Sequence, residues 1–380
     1  GNGGNQEAEE TEETSLALVE KETVAEEDLV PQKGGMLKIG LEGSPKNLDP
    51  KNRTSVYESR IISQVCDTLI IYNNDQTEYL PSLAESWEIS DDGLEYTFHL
   101  RDDVHFHKGE FQDGRLMTAE DVKYSLERAK EAKNVTLVML DHVEVIDEHT
   151  AKCVLTEPNA VFLDVLTGPT NVIVPKEEVE GWGDQFGEHL IGTGPFKLQE
   201  FKLDQEATIV RNEDYWGPEP YLDGAVFKVI TDINQHVNGL KTGEIDFSCK
   251  ISGEAVKLVN EDPNLRLLVA PNTSINFVGF NTEKGITADP KVRQALAEAV
   301  DLEDLCAGLY QYEEAVYAGQ PMPPASWGYD PSMDEYKQKY DPEHAKQLLT
   351  EAGYPDGFEI TITLSNSSTN TSFATILQQY

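Results

Sequence analysis

The stretch that most restricts how this chain can fold is "SWEISDDGLEYTFHLRDDVHFHKGE", Ser86 to Glu110. "SWEIS" and "LEYTFHL" flank "DDG", and Gly93 can supply the positive φ that a tight hairpin turn needs. On extended backbone Leu94, Tyr96, Phe98 and Leu100 share one face, and Glu95, Thr97 and His99 share the other. That alternation predicts a sheet with one buried face. Past a turn at Arg101 to Asp103, the same period places Val104 and Phe106 inward and His105 and His107 outward. Two histidines on one face could hold two positions of a metal ion, with His99 or an aspartate as a third. A histidine pair on the wet side of a hairpin is more often simply solvated, and no metal or other cofactor is expected.

The elements around the hairpin are of mixed type. "MLKIGL", Met36 to Leu41, reads as a strand ending in a Gly/Ser turn, and "VYESRIISQVCDTLIIY" as an amphipathic helix running into a strand. "TAEDVKYSLERAKEA" is a helix opening at the N-cap Thr118, with Asp121 at the capping-box position. "HVEVIDEHTAKCVL" gives two strands, and "QHVNGLKTGEIDFSC" gives helix, glycine turn and strand. From Leu265 onward "NLRLLVA", "SINFVGFN" and "FEITITL" are expected as strands. Helices are expected over Asp289 to Val300, Leu302 to Leu309 and Pro342 to Ala352, with another beginning in "SFATILQQY". Interleaved strands and helices point to an α/β fold.

Length and charge narrow the function classes. With 380 residues, two or three domains are expected. The 69 acidic against 30 basic residues give a net charge of −39, which nucleic acid and anionic membrane surfaces would repel. No apolar run approaches the roughly 20 residues of a transmembrane helix. The start "GNGGNQEAEETEETS" reads as a flexible spacer and acid-rich tether, residues 1–33, too polar to order itself. Such a start fits a secreted protein or a lipoprotein trimmed beside its anchoring cysteine.

Cys66, Cys153, Cys249 and Cys306 are widely spaced and fall on apolar faces, so buried free thiols are favoured over disulfides, zinc or redox sites. The hydroxyls of Ser44 and Thr193 have no His/Asp partner pattern, and "GTGPF" puts proline where a phosphate cradle needs N–H groups. An enzyme is not expected.

Several segments together resemble the extracellular solute-binding proteins of the peptide/nickel class, the receptors of ABC importers. They are "LPSLAESWEISDDGLEYTFHLRDDVHFHKGE", "MTAEDVKYSLERA", "IGTGPFKLQEF", "RNEDYWG", "GLKTGEIDF", "INFVGFNTEKGITADPKVRQALAEAVD" and "DPEHAKQLLTEAGYPDGFEI". Their order holds across nearly all of Leu37 to Tyr380, and "LEGSPKNLDP" and "PPASWGYD" lean toward the dipeptide-binding branch.

The resemblance implies a two-lobed, type II periplasmic-binding-protein-like fold whose lobes close on a ligand about a hinge. Residues 34–44 and 190–264 would form lobe one, 45–189 a subdomain inserted in it, and 265–380 lobe two. Family members continue further, so lobe two is expected to be incomplete. Dipeptide-binding members carry an arginine for the peptide carboxylate in the loop after the "FEITITL"-type strand. Here that loop reads "SNSSTNTS", Ser365 to Ser372, without a basic residue.

Candidate ligand-binding residues are Gly43, Ser44 and Arg53 around the loop that follows the first strand, where ligands of open α/β sheets commonly sit. Ser274 and Asn276, at the start of "SINFVGFN", and Trp327 and Tyr329, in "SWGYD", complete the set. Each has a plainer reading, as a turn, a solvated strand end or a capped proline-rich loop. The expectation is an extracellular receptor passing a peptide-like solute to an ABC permease, touching the membrane only through an N-terminal lipid anchor. The alternatives are a nickel or metal-chelate receptor and, from another class, a signalling or adhesion module.

Overall fold

The computed structural model describes residues 30–380 except 271, 313, 314, 327 and 365–367. The expected tether therefore lies almost wholly outside the described residues. Two compact units separate, one running to Ile251 and the other from Ser252 to Tyr380.

A five-stranded sheet organises the first unit. Its central strand β1 (Met36–Leu41) runs parallel to β10 (Gly224–Val229) on one side and to the short β11 (Phe247–Ser248) on the other. Antiparallel β9 (Glu206–Arg211) and β8 (Phe196–Lys202) complete the order β11-β1-β10-β9-β8. Leu41, Ala207, Ala225 and Phe227 join Ile61, Ile62 and Val65 of α1 (Val56–Val65) in one buried cluster. On the opposite face Gly40 leaves room for Ile245 and for His236 of α5 (Ile233–Thr242). That histidine is fully buried, with Nε2 2.5 Å from the Ile230 carbonyl and Nδ1 2.7 Å from Ser248 Oγ.

The second sheet is antiparallel, ordered β4 (Ala84–Ile89), β5 (Glu95–Leu100), β7 (Thr150–Leu155), β6 (Leu140–Asp147). The hairpin forms as the alternation requires. Gly93 has φ 71°, and Tyr96, Phe98 and Leu100 are buried while Glu95, Thr97 and His99 are not. Their inner face packs on Val122 and Leu126 of α2 (Ala119–Ala129) and on Phe162 of α3 (Phe162–Leu166). The Thr118 N–H donates to Asp121 Oδ2 at 2.8 Å, the capping box expected from sequence. A ribbon of β2 (Ile70–Tyr72) and β3 (Tyr79–Pro81) borders this core, and α4 (Lys176–Trp182) follows it in the chain.

Past β5 the alternation fails. The chain makes a single bridge, His105 to Leu116, instead of a strand, so side chains no longer point in strict turn. His105 stays exposed, but His107 is 3 % exposed, contrary to the outward position expected for it. Its Nε2 donates to the Gly194 carbonyl at 2.9 Å and its Nδ1 faces the Gly192 N–H at 3.4 Å. Burial pushes its pKa down to about 4, so the ring is neutral with both nitrogens in use. The two histidines therefore cannot form a shared metal edge.

The second unit consists of α6 (Glu254–Glu261), α7 (Pro290–Glu298), α8 (Leu302–Leu309), α9 (Pro342–Glu351) and α10 (Ser368–Leu377) with connecting chain. α7 and α9 pack through Ala295, Ala345 and Leu348, reinforced by Lys291–Glu351 at 2.8 Å. The strands expected over 264–270, 274–281 and 358–364 are absent: among the described residues these segments join no ladder. Their apolar residues alternate, but no partner strand covers them, and Leu268 and Phe277 are 66 % and 80 % exposed.

The four cysteines are free. Cys66 and Cys153 are buried, and burial pushes both thiols up, whereas Cys249 and Cys306 are half-buried. Cys66 does not continue α1 but caps it in extended conformation.

Candidate functional site

In the first unit the candidate residues gather where β1 ends and α1 begins. Leu41 closes the strand in full burial, and the chain turns through Gly43 and Ser44. The Tyr57 ring lies close against this turn, so a Cβ on Gly43 would meet it at 2.3 Å. Glycine is required there by close approach, not by backbone conformation.

Glu58 is the pin of the arrangement. It is 1 % exposed and accepts from the Lys46 N–H at 2.8 Å, the Ser55 N–H at 2.7 Å and the Ser55 hydroxyl. Burial alone pushes its carboxyl up, but these hydrogen bonds together outweigh burial and hold it below the usual range. Ser55 and Glu58 are the capping box of α1, so one carboxylate both caps the helix and ties down the loop after β1. Beside it, Arg60 pairs with Glu42 at 3.1 Å.

Arg53 enters from the other side of the helix start. Its Nε donates to Thr170 Oγ1 at 3.1 Å and its Nη1 to Ser59 Oγ at 3.0 Å. Among the described residues it has no carboxylate within ion-pair distance, unlike Arg128, which grips Asp49 through both carboxylate oxygens at 2.8 and 2.6 Å. Burial pulls the Arg53 guanidinium below its ordinary value, against a smaller opposing pull from Glu58. The cluster thus presents a fixed loop, a tyrosine and a half-buried cation, a set suited to binding a solute and lacking any nucleophile–base pair.

Beside this cluster, α1 and the uncovered part of the sheet enclose a groove of about 430 Å³. Leu37, Ile39, Phe196 and Ala225 floor it, and Arg60 and Gln64 stand at its α1 side.

The second unit supplies the remaining candidates, considered by themselves. Ser274 and Asn276 are exposed, and Asn276 Nδ2 donates to the Tyr310 hydroxyl at 3.0 Å. The Tyr329 hydroxyl donates to Asp334 at 2.6 Å. Asp334 lines a polar hollow of about 410 Å³ with Tyr317, Lys337 and Tyr340, in which the Lys337 ammonium stands 4.3 Å from the Tyr317 ring centre. Trp327 lies outside the described residues.

Thr193 has a structural task. Its hydroxyl donates to Asp67 at 2.8 Å, and the indole N–H of Trp216 donates to the same carboxylate at 3.0 Å. Burial raises the Asp67 carboxyl, partly offset by these donors. The guanidinium of Arg101, just past β5, stacks 4.7 Å over the Trp216 ring. The segments "IGTGPF" and "RNEDYWG" thus meet at one buried acid, as their separation in sequence could not reveal. Glu58, Tyr57 and Thr170 were missed as parts of the site. Only Glu58 left a signal, the S-x-x-E spacing from Ser55.

The family model described as "Bacterial extracellular solute-binding proteins, family 5 Middle" matches residues 78–380. The dipeptide-binding protein of Escherichia coli is 32 % identical over 373 residues, spanning 87 % of this chain and 69 % of that protein. The heme-binding protein A of Haemophilus influenzae is 35 % identical over 318 residues, spanning 78 % of this chain but only 58 % of that protein. Among solved structures, the ABC transporter-associated periplasmic binding protein DppA of Helicobacter pylori, in complex with a peptide, superposes with a TM-score of 0.76 at 28 % identity. It covers 92 % of this chain and 72 % of its own.

Proposed function

We propose, from the premise that this chain belongs to the bacterial extracellular solute-binding proteins of family 5, that it captures a peptide-like solute and delivers it to the permease of an ABC importer. The observation that carries the reading is the fixed loop at the end of β1. Tyr57 packs against Gly43, and Glu58 ties the Lys46 amide of the same loop to the start of α1, where Arg53 donates to Thr170 and Ser59 and has no carboxylate at ion-pair distance among the described residues. A peptide brings its own N–H, C=O and carboxylate groups, which such a polar, preorganised surface can satisfy directly or through water. The likeness to a peptide-bound receptor and to a dipeptide-binding protein supports the same solute class.

Gly43 and Ser44 act from lobe one, residues 34–44 and 190–264, and Arg53 from 45–189, the subdomain inserted in it. Ser274, Asn276, Trp327 and Tyr329 act from lobe two, residues 265–380. The protein works outside the cytoplasmic membrane, in the periplasm or held to the cell surface by a lipid at the head of its acidic tether. It is a binding protein without catalysis of its own, as its named relatives are binding proteins. The metal-chelate alternative is not favoured, since the similar proteins include the dipeptide-binding protein of Escherichia coli and a peptide-bound receptor of Helicobacter pylori.

Uptake measurements test this reading. A strain lacking the gene is expected to lose import of isotope-labelled peptides and to regain it with the full natural chain. Unchanged peptide uptake together with lost nickel uptake would overturn it.

A further inference from the structure

We infer that His344 and Glu298 form a proton-operated clasp at one end of the helix pair α7–α9, so that this part of the second unit is held more firmly in mildly acidic than in alkaline surroundings. The inference stands on the second unit by itself and is independent of the receptor reading above. α7 and α9 run antiparallel. Glu298, the last residue of α7, meets His344 in the first turn of α9, and Lys291 at the start of α7 meets Glu351 at the end of α9. The buried seam between these two contacts consists of Ala295, Ala345 and Leu348. So small an apolar contact gives the polar contacts at its ends a larger share in holding the pair together.

Three contacts converge on Glu298. Its main-chain carbonyl accepts from the Asp341 N–H at 2.8 Å, its Oε1 accepts from Gln294 Nε2 at 2.8 Å, and its Oε2 lies 2.5 Å from His344 Nδ1. The carboxylate is only 12 % exposed, and His344 is its one ionic partner among the described residues. Both charges stand at the helix ends that disfavour them, an anion in the last turn of α7 and a cation in the first turn of α9. Each is therefore stabilised by the other and not by its own helix. The ionised groups acting on the ring are all acidic: Glu298 from α7, and Asp341 and Glu351 from α9. The cations of the two helices are engaged elsewhere, Lys291 with Glu351, Lys346 with Glu343, and Arg293 with the Thr287 and Ala288 carbonyls. The bond to Glu298 lifts the His344 pKa above its ordinary 6.5, against a smaller loss of hydration. A histidine raised in this way contributes in full below pH 6.5, and its contribution is lost as the pH rises through the folded value. That sign is opposite to the acid sensitivity of His107 in the first unit.

Hydrogen exchange read by mass spectrometry on the full natural chain, between roughly pH 5.5 and 8.5 and corrected for the intrinsic rate, tests this locally. Protection at the start of α9, relative to α2 of the first unit, is expected to fall by about two- to fivefold across that range, the scale of a partly exposed ion pair. H344Q and E298Q are expected to show the weaker protection at every pH. H344K, a cation throughout the range, is expected to keep the stronger protection up to the alkaline end. His344 is partly exposed, so both of its variants are expected to fold. A wild-type profile that does not change with pH, or one that H344Q reproduces, overturns the clasp and leaves the receptor reading standing.

Discussion

Glu58 shows how one carboxylate can order a loop that carries no regular structure. Replacing it by glutamine keeps its shape but removes the charge that three donors serve, and is expected to cost about 1–3 kcal/mol, read as a lower midpoint in urea unfolding. Because its carboxyl is held below the ordinary 4.5, its stabilisation is complete above that pH and is lost as pH falls through the folded value. His107 has the opposite chemistry but the same direction of pH dependence. Its pKa falls from 6.5 to about 4 on burial, so the folded state is favoured in full above pH 6.5 and loses that advantage as the pH drops toward 4. The loss amounts to roughly 3 kcal/mol, and H107Q is expected to flatten the stability profile between those values. An unchanged slope in H107Q would show that other groups set the acid sensitivity. The burial of His107 was invisible in sequence, since period-two reasoning assumes a strand and the chain there makes only one bridge. By contrast, the Ser55–Glu58 spacing was legible, because capping depends on local chain geometry.

Among the elements, the loop at Gly194, which leads into β8, packs closely on the end of α1. The Gly194 N–H donates to the Val65 carbonyl at 2.9 Å, and a Cβ on Gly194 would stand 2.6 Å from the Val65 carbonyl carbon. Backbone cannot yield as a flexible side chain would, so G194A is expected to destabilise by about 1–3 kcal/mol, measured as a fall in melting temperature. A neutral G194A would mean that the loop is free to move. The hairpin β4–β5, helices α2, α8 and α9, and strand β1 were readable because their periodicity and caps are local. The segments 264–270, 274–281 and 358–364 carry an equally clear β pattern yet form no strands, since a strand exists only through a partner. Their amides are expected to exchange with solvent in seconds, while those of β5 and β7 stay protected. Slow exchange over 274–281 would contradict the absence of a ladder there.

For the molecule as a whole, the apolar side chains of the three segments without strands are left exposed in the second unit. Leu268, Val269, Phe277, Val278, Ile360, Ile362 and Leu364 are all well exposed. The 380-residue chain by itself is therefore expected to bind an apolar dye and to self-associate, and a monodisperse, dye-silent monomer would contradict this. The family was legible across nearly all of Leu37 to Tyr380 because seven segments keep their order. The ligand's identity was not, because Ser274, Asn276 and Tyr329 are polar residues whose surroundings depend on distant chain. The most direct test of the central claim is native mass spectrometry of the full natural chain, gently purified from the cells that make it. The account expects a co-purifying peptide that leaves on partial unfolding and can be sequenced. A protein that arrives carrying nickel through dialysis, or empty and indifferent to added peptides, would contradict it.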